Sequence, residues 1–503
     1  MAKRMWLSLS LAALMTGSPA GQDARSVLQA AATAMGVTNL TSIQYSGTGW
    51  QGMVGQNYSP DLDWPRVDLK SYTRTIDFET MSSREEYVRV QGNNPARGGG
   101  AGFPFLTEQR VVNLVSGSHA WTLNAEGQPV PQPAAAELRR LEILLTPYGF
   151  LKGAMAPGAN PTVITRNEYN SRVTVVSFIA FGKYRVNGTI NAENLLERVQ
   201  TWVPNPVVGD MYYENVYTPY RDIGGVKIPV FHQHQDYDDG AHLPNVSGGD
   251  HAFGLNPSDV KLNVPNAALT VPSEVQKATV EPVRVQSQKL GEGLWLVAGG
   301  SHNSVAVEFR DYVAVIEAPL NEDRSLAVIG EINKLIPKKP IKFVVSTHHH
   351  WDHLGGLRAY VHDGATVIMH AGNLPYYQEV LRARPWTLQP DRFSLHPPEE
   401  WSEGYIFETV REKYVLADET RTVEVHNVQG LAHALGMLIA YLPKEKIVVQ
   451  ADLYNPQAAA PTASSRTFNQ NLQRLKLDVT TIVGIHGNPA PMSQFVQLMT
   501  KSQ

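Results

Sequence analysis

Apolar residues at alternate positions mark a run of short strands through the first half of the chain. They fall at Ser42 to Trp50, Val67 to Phe78, Glu85 to Gln91, Arg110 to Leu114, Ala120 to Leu123, Val163 to Thr165, Arg172 to Ala180 and Tyr184 to Ile190. Turns rich in Gly, Pro and Asn separate them, among them Asn93-Asn94-Pro95 and Gly98-Gly99-Gly100. The pattern predicts a mainly antiparallel sheet, strongly curved or barrel-like. Two stretches keep a helical spacing instead. Ala24 to Met35 sets Val27-Leu28, Ala31-Ala32 and Met35 on one face and stops at Gly36, and Ala134 to Thr146 carries Leu138, Leu141 and Leu145 on one stripe. The second helix is expected to plug the concave side of the sheet. Such a curved sheet with a helix faintly resembles the half-barrels of periplasmic lipoprotein carriers, which would make it a cradle for an apolar ligand, though a plain scaffold is the stronger reading.

The pattern changes after the strand-like region. From about Asn245 to Pro282 the chain is rich in Pro, Asn, Gly and Ser, which marks a linker over residues 246–282. Beyond it lie short strands at Val283 to Gln288, Leu294 to Ala298, Ser304 to Phe309 and Val313 to Ile316. An amphipathic helix follows at Arg324 to Leu335, then the buried strand Ile341 to Val345, and β and α patterns alternate to the end. The expected organisation is α+β, with residues 22–245 as a β-rich domain and residues 283–503 as a second domain.

Composition narrows the function. The chain has 503 residues, a formal net charge of −4 and 18% charged residues, so it offers no basic field for nucleic acid. With no cysteine, disulfides and thiolate chemistry are both excluded. Residues 1–21 read as a secretory signal: Lys3 and Arg4, the apolar Met5 to Met15, then Ser18-Pro19-Ala20. An exported protein, periplasmic or secreted, is therefore expected. No later apolar run is long enough to span a bilayer as a helix, so stable membrane insertion is not expected. Nothing in the pattern specifies an oligomeric state.

The candidate chemistry sits directly after Ile341 to Val345, in Thr347-His348-His349-His350-Trp351-Asp352-His353-Leu354-Gly355-Gly356. Imidazoles at the end of a buried strand are held at fixed angles, and Gly355-Gly356 lets a helix start close beneath them. His348 and His350 are two apart and point the same way, whereas Asp352 and His353 turn toward a second point nearby. The spacing suggests two metals, which one loop cannot ligate alone. His433, Asp452 and His486 each stand at the end of a strand-like run beside glycine or small residues. A second cluster, His232-Gln233-His234-Gln235-Asp236, alternates so that His232, His234 and Asp236 share a face, but no glycine-framed partners accompany it and a polar strand edge is the better reading.

His-x-His-x-Asp-His followed by a lone His, a lone Asp and a lone His resembles the metallo-β-lactamase superfamily over roughly residues 284–500. The resemblance implies an αββα sandwich with the metals at one edge. It implies His348, His350 and His433 on one metal, Asp352, His353 and His486 on the other, and Asp452 bridging both, with no ligand role for His349. One position departs from the family: Ile316-Glu317-Ala318-Pro319 holds Glu where Asp commonly stands, which puts a supporting role for that residue in question.

Two divalent metals about 3.5–4 Å apart can share a hydroxide and stabilise oxyanion charge, so no Ser or Cys nucleophile is required. Asp352 would orient that hydroxide and pass its proton on. Nitrogen and oxygen donors suit two zinc ions first, with manganese or iron as alternatives. A bridging aspartate resembles the thioesterase, lactonase, phosphodiesterase and sulfatase branches more than the dedicated β-lactamases; with phosphodiesters ranked lower for want of basic clusters, the expected reaction is hydrolysis of an ester, lactone or related acyl bond in a small-molecule substrate. A β-lactam-hydrolysing enzyme is the runner-up, and an envelope ligand carrier with a structural metal site is the alternative of another class. His302 and Asn303, in the loop Gly299 to Ser304, are expected at the substrate. Tyr376, Tyr377, Trp386 and Trp401 are candidates to line its pocket, against ordinary core packing.

Overall fold

The alternating strands of the first half do form one sheet, and it is larger than the pattern indicates. The computed structural model describes residues 23–100, 102–168, 171–235, 251–382, 385–397 and 407–501, so the secretory pattern of residues 1–21, Asp236 and Trp401 lie outside the described residues. Thirteen antiparallel strands run from Pro129–Pro131 at one edge to Thr162–Glu168 at the other. Sequence neighbours pair throughout, except that the first strand, Ser42–Gly52, pairs with the last, His251–Leu262. That last strand corrects the expected linker of residues 246–282. Its Ala252 and Leu255 are buried while Asn256, Ser258 and Asp259 face outward. The polar face alone set the composition that read as a linker.

Four strands, Leu196–Asn205, Gly209–Ile223, Val226–Gln235 and His251–Leu262, extend the sheet beyond the last strand the pattern predicted. His232 and His234 lie on the third of these, which is paired on both sides, so they stand inside the sheet and not at its edge. The helix expected over Ala134 to Thr146 forms, and a second helix that the pattern did not predict follows it directly. Ala136–Leu144 ends where Thr146 accepts a hydrogen bond from the Gly149 N–H at 3.0 Å, and Pro147 opens a second helix, Pro147–Met155. These helices touch strands from both wings of the sheet, which wraps around them. A cavity of about 290 Å³ remains between sheet and helices. Arg74, Glu85, Glu142 and Arg139 line it among tyrosines, so it is not the apolar cradle that the lipoprotein-carrier likeness implied.

The rest of the chain forms two facing sheets. One holds seven strands between Gln286–Gly291 and Phe407–Val410, and the other holds six between Lys413–Ala417 and Ala490–Pro491. Their inner faces bury Leu294, Val305, Ile316, Val345, Val425, Val449 and Val483 in one cluster. Helices Ala463–Arg474 and Met492–Met499 cover the six-stranded sheet through Phe468, Leu472 and Phe495. Helices Glu322–Leu335, Leu357–His362 and Leu374–Arg382 cover the other. This is the αββα sandwich implied for the second half. Its outer helix layer shares a continuous buried cluster with the thirteen-stranded sheet, from Val27 and Phe150 through Val208 to Leu354 and Tyr360. No helix among the described residues is long and apolar enough to cross a membrane.

Candidate metal centre

Strands from both sheets of the sandwich end at one point. Ile341–Val345 delivers Thr347 to His350, Val313–Ile316 delivers Glu317, Ile447–Gln450 delivers Asp452, and Thr481–Gly484 delivers His486. His433 comes from the loop between Thr422–Asn427 and Leu438–Leu442. Main-chain bonds hold these ends in register: Leu438 N–H to Thr347 O at 2.8 Å and Asn303 N–H to Ile485 O at 2.8 Å. Glu317 and Asp452 both take positive φ, 79° and 61°. That conformation costs a non-glycine residue about 1–3 kcal/mol and turns each carboxylate inward from its strand end.

The side chains form two groups that could hold metal ions, His348, His350, His433 and Asp452 in one, and His302, Asp352, His353 and His486 in the other. Asp452 touches both. Its Oδ2 is 3.0 Å from His433 Nε2, 3.3 Å from His348 Nε2 and 3.0 Å from His353 Nε2, and its Oδ1 is 3.0 Å from His486 Nε2. Two donors each about 2.1 Å from a shared ion lie about 3.0 Å apart at a right angle and about 3.4 Å apart at the tetrahedral angle. The observed separations fall in that range.

Proton bookkeeping tests the fit further. His353 Nδ1 faces the Glu317 carboxylate at 3.1 Å and His486 Nδ1 faces the Ser301 carbonyl at 3.1 Å, so both Nδ1 atoms carry protons. Their Nε2 lone pairs then point at each other across 3.3 Å. The Thr347 hydroxyl donates to Glu317 at 2.6 Å and so accepts from His348 Nδ1 at 3.0 Å, which leaves His348 Nε2 as a lone pair 3.4 Å from His433 Nε2. His350 Nε2 donates to the Asn57 carbonyl at 2.9 Å, and its Nδ1 is buried with no hydrogen-bond partner. Lone pairs facing lone pairs in a buried space repel unless a cation sits between them. The residues present fit metal ions.

The electrostatics agree. Burial pushes the imidazoles of His348 and His350 well below their ordinary range, and neighbouring histidines push the same way, so both stay neutral donors. Burial also works against charge on Asp452 and His353, but their mutual attraction outweighs it: the Asp452 carboxyl is held well below the usual carboxylate range and His353 well above the usual imidazole range. The carboxylates of Asp452, Asp352 and Glu317 thus favour positive charge at this point, which a proton on His353 or a metal ion at its Nε2 would supply. Glu317, fully buried, bonds Thr347 and His353 at once and so orients both halves of the histidine loop from below.

Two loops of the thirteen-stranded sheet close over this centre, which the sequence did not reveal. In the first, residues 53–65, Gln56 Nε2 donates to Asp352 Oδ1 at 2.7 Å and the Asn57 carbonyl accepts from both His349 and His350 at 2.9 Å. His349, which the family pattern left without a ligand role, is a buried clamp on this loop, and burial lowers its pKa to about 4. Gly55 sits where an added Cβ would fall 2.6 Å from the Trp351 ring, so only glycine permits the approach. The second loop contributes Gly98, whose N–H donates to Ala432 O at 2.9 Å, and Gly99, whose N–H donates to Gln56 O at 2.7 Å. The one sequence signal was length, since residues 53–65 are more than a hairpin needs.

The residues expected at the substrate are engaged in contacts of their own. Asn303 is buried and its amide donates to Gly484 O at 3.0 Å and Gly487 O at 2.7 Å, so it fastens the His486 loop. Tyr377 is buried under the histidine loop, its hydroxyl 2.7 Å from Ser346 Oγ and 3.1 Å from the His348 carbonyl. Trp386 packs its ring on the Arg358 guanidinium at 4.3 Å, in the helix layer. Tyr376 accepts from Trp351 Nε1 at 2.8 Å. Asn303, Tyr376 and Tyr377 are packing and positioning residues because the strand and helix faces that carry them point into the core, whereas the half-buried Trp386 is held from a loop by its stacking on Arg358. His302 is buried too, its Nε2 directed at Asp352 Oδ2 at 3.3 Å.

Residues 297–453 match the family model described as the Metallo-beta-lactamase superfamily. That span belongs to the superfamily. The match supports a hydrolase, since members of the metallo-beta-lactamase superfamily are mostly hydrolases. Solved structures similar to the chain include a metallo-beta-lactamase from Pontibacter korlensis, 19% identical over 42% of this chain and 96% of that one with a TM-score of 0.33. Others are the DIM-1 metallo-beta-lactamase, 16% identical over 43% and 96% with a TM-score of 0.33, and FIM-1 from Pseudomonas aeruginosa in its mono-zinc form, 19% identical over 44% and 95% with a TM-score of 0.33. No curated protein matches the chain.

Proposed function

We propose that the chain is a two-metal hydrolase that cleaves an ester, a lactone or a related acyl bond in a small molecule. The observation that carries this reading is Asp452, whose two oxygens contact histidines of both groups at 3.0–3.3 Å. His348, His350 and His433 would hold one ion, Asp352, His353 and His486 the other, and Asp452 would join them. Zinc is the proposed ion, with manganese or iron as alternatives. Bound there, the ions would supply a water nucleophile activated at neutral pH and Lewis-acid stabilisation of developing oxyanion charge.

The chain's own residues do the rest. Burial raises the Asp352 carboxyl, but the imidazoles of His302 and His353 beside it and the Gln56 amide outweigh that and hold the group far below the usual carboxylate range. Asp352 is therefore ionised at neutral pH and accepts a hydrogen bond from the attacking water. Gln56 fixes its Oδ1, and at 32% its side chain is more exposed than those of His302, His348 and His353. An aimed carboxylate at the open side of the centre can take the proton of the nucleophile and deliver it to the leaving alkoxide. The loop over residues 53–65 excludes water from the histidines. The shared carboxylate is also the feature that, by resemblance, favours the thioesterase and lactonase branches over lactam hydrolysis. The pattern of residues 1–21 supports an exported enzyme, periplasmic or secreted.

The test is a parallel rate assay of the zinc-loaded protein on an aryl ester, a lactone and a chromogenic cephalosporin, with Asp452→Ala as control. Ester or lactone turnover that is lost in the variant is the expected result. Preferential cephalosporin turnover would replace the acyl-ester reading by lactam hydrolysis. A fully metal-loaded protein with no turnover on any of the three would favour an envelope carrier with a structural metal site.

A further inference from the structure

The second group contains one donor more than the family pattern supplies. His302 opens the strand His302–Glu308, and three features fix its ring. Its carbonyl accepts from the buried Arg324 Nη2 at 3.0 Å, its Nδ1 pairs with Ser301 Oγ at 2.8 Å, and its ring centroid lies 4.1 Å from that of His486 and 5.0 Å from that of His353. The side chain is 5% exposed, which leaves no face for a substrate.

The Nε2 of His302 stands 3.3 Å from Asp352 Oδ2. A hydrogen bond between an imidazole and a carboxylate in a buried space would close to about 2.7–2.9 Å. The wider gap equals the one between His353 and His486 across the same point, 3.3 Å, and is close to the 3.6 Å between His353 Nε2 and Asp352 Oδ2. One ligand atom from each of His302, Asp352, His353 and His486 lies within 4.8 Å of every other.

We propose that His302 is a metal ligand of the second site. Resting on the two-metal reading above, this makes the two sites unequal. The first has three imidazoles and the Asp452 carboxylate, a set that a tetrahedral ion fills. The second has the imidazoles of His302, His353 and His486 with the carboxylates of Asp352 and Asp452, a set for a five- or six-coordinate divalent cation. Metals that favour higher coordination, manganese, iron(II) or cobalt(II), gain at the second site relative to the first.

The experiment is metal content and chelator competition on the whole chain, for wild type, His302→Ala and His433→Ala, together with the absorption spectrum of the cobalt(II)-loaded wild type. The expected result is two equivalents in wild type, one of them weakened by about tenfold or more in His302→Ala. His433→Ala should weaken the other. In the cobalt protein, one ion should give intense tetrahedral bands and the other weak bands of higher coordination, a readout that needs no variant. Unchanged affinity for both equivalents in His302→Ala, or two intense tetrahedral cobalt centres, would overturn the assignment. Wild-type protein that binds no metal at all would overturn the two-metal reading itself.

Discussion

Two buried clusters of charged and polar side chains lie in this molecule, and they obey opposite rules. On the concave side of the thirteen-stranded sheet, donors meet acceptors: Tyr72 donates to Glu85 Oε1 at 2.7 Å, Asn113 donates to Glu85 Oε2 at 3.2 Å, and Arg139 donates to the carbonyls of Leu114 and Trp121 at 3.0 and 2.7 Å. At the edge of the sandwich, acceptors meet acceptors: with their protons on Nδ1, the neutral rings of His348, His353 and His486 turn Nε2 lone pairs toward the oxygens of Asp452 and toward neighbouring imidazoles. The first arrangement is self-sufficient. The second is stable only around positive charge. Charge burial alone would not separate them, whereas the direction of each proton does.

The sharpest way to break this contrast is to remove the shared acceptor. Asp452→Ala should reduce turnover by on the order of 10³-fold or more and lower metal content below two equivalents, as read by rate assay and elemental analysis. A variant that keeps both metals and its rate would show that the lone-pair cluster is not an ion site. Removing the proton acceptor beneath the loop should do less. Glu317→Gln leaves His353 and Thr347 without their carboxylate partner, and metal affinity should fall by about 10–100-fold in a chelator competition. If affinity is unchanged, the histidines are aimed by the strand ends alone.

Gln56→Ala probes the bridge between the two regions. It frees Asp352 Oδ1 without touching a metal donor, so kcat should fall by roughly tenfold with metal content intact. A fall in metal content instead would make Gln56 part of the metal shell. The smallest effect belongs to the cavity. Burial raises the Glu142 carboxyl above its ordinary value, so its favourable contribution is present in full below the unfolded value near 4.5 and is lost as pH rises through the folded value. Glu142→Gln lacks that loss. Its Tm relative to wild type should therefore climb as pH rises from about 4.5. A constant difference across pH would place Glu142 in contact with water.

The residues of the two candidate metal groups were legible because most follow an apolar run that reads as a buried strand, and strand ends converge in a two-layer sandwich. His348, His350, His433, Asp452 and His486 all stand at such ends. Tyr377 and Asn303 were misplaced because an aromatic or an amide near a motif looks the same in sequence whether it faces the ligand or the core. The strand His251–Leu262 was taken for linker because its partner, Ser42–Gly52, lies some two hundred residues earlier and supplies the burial that its own polar face conceals.

The amino-acid sequence by itself determined the sandwich, its likeness to the metallo-β-lactamase superfamily and most members of the two candidate metal groups, since periodicity and the order of histidines and aspartates are local properties. Only the tertiary structure decided that the loop over residues 53–65 holds Asp352 and clamps His349 and His350, that Glu317 supports the loop from below, and that His302 turns toward the second group. Those contacts join residues 30 to 296 positions apart in the chain. They arise from strand pairing within the seven-stranded sheet and from the packing of the thirteen-stranded sheet against it, and no spacing rule within a single segment encodes either.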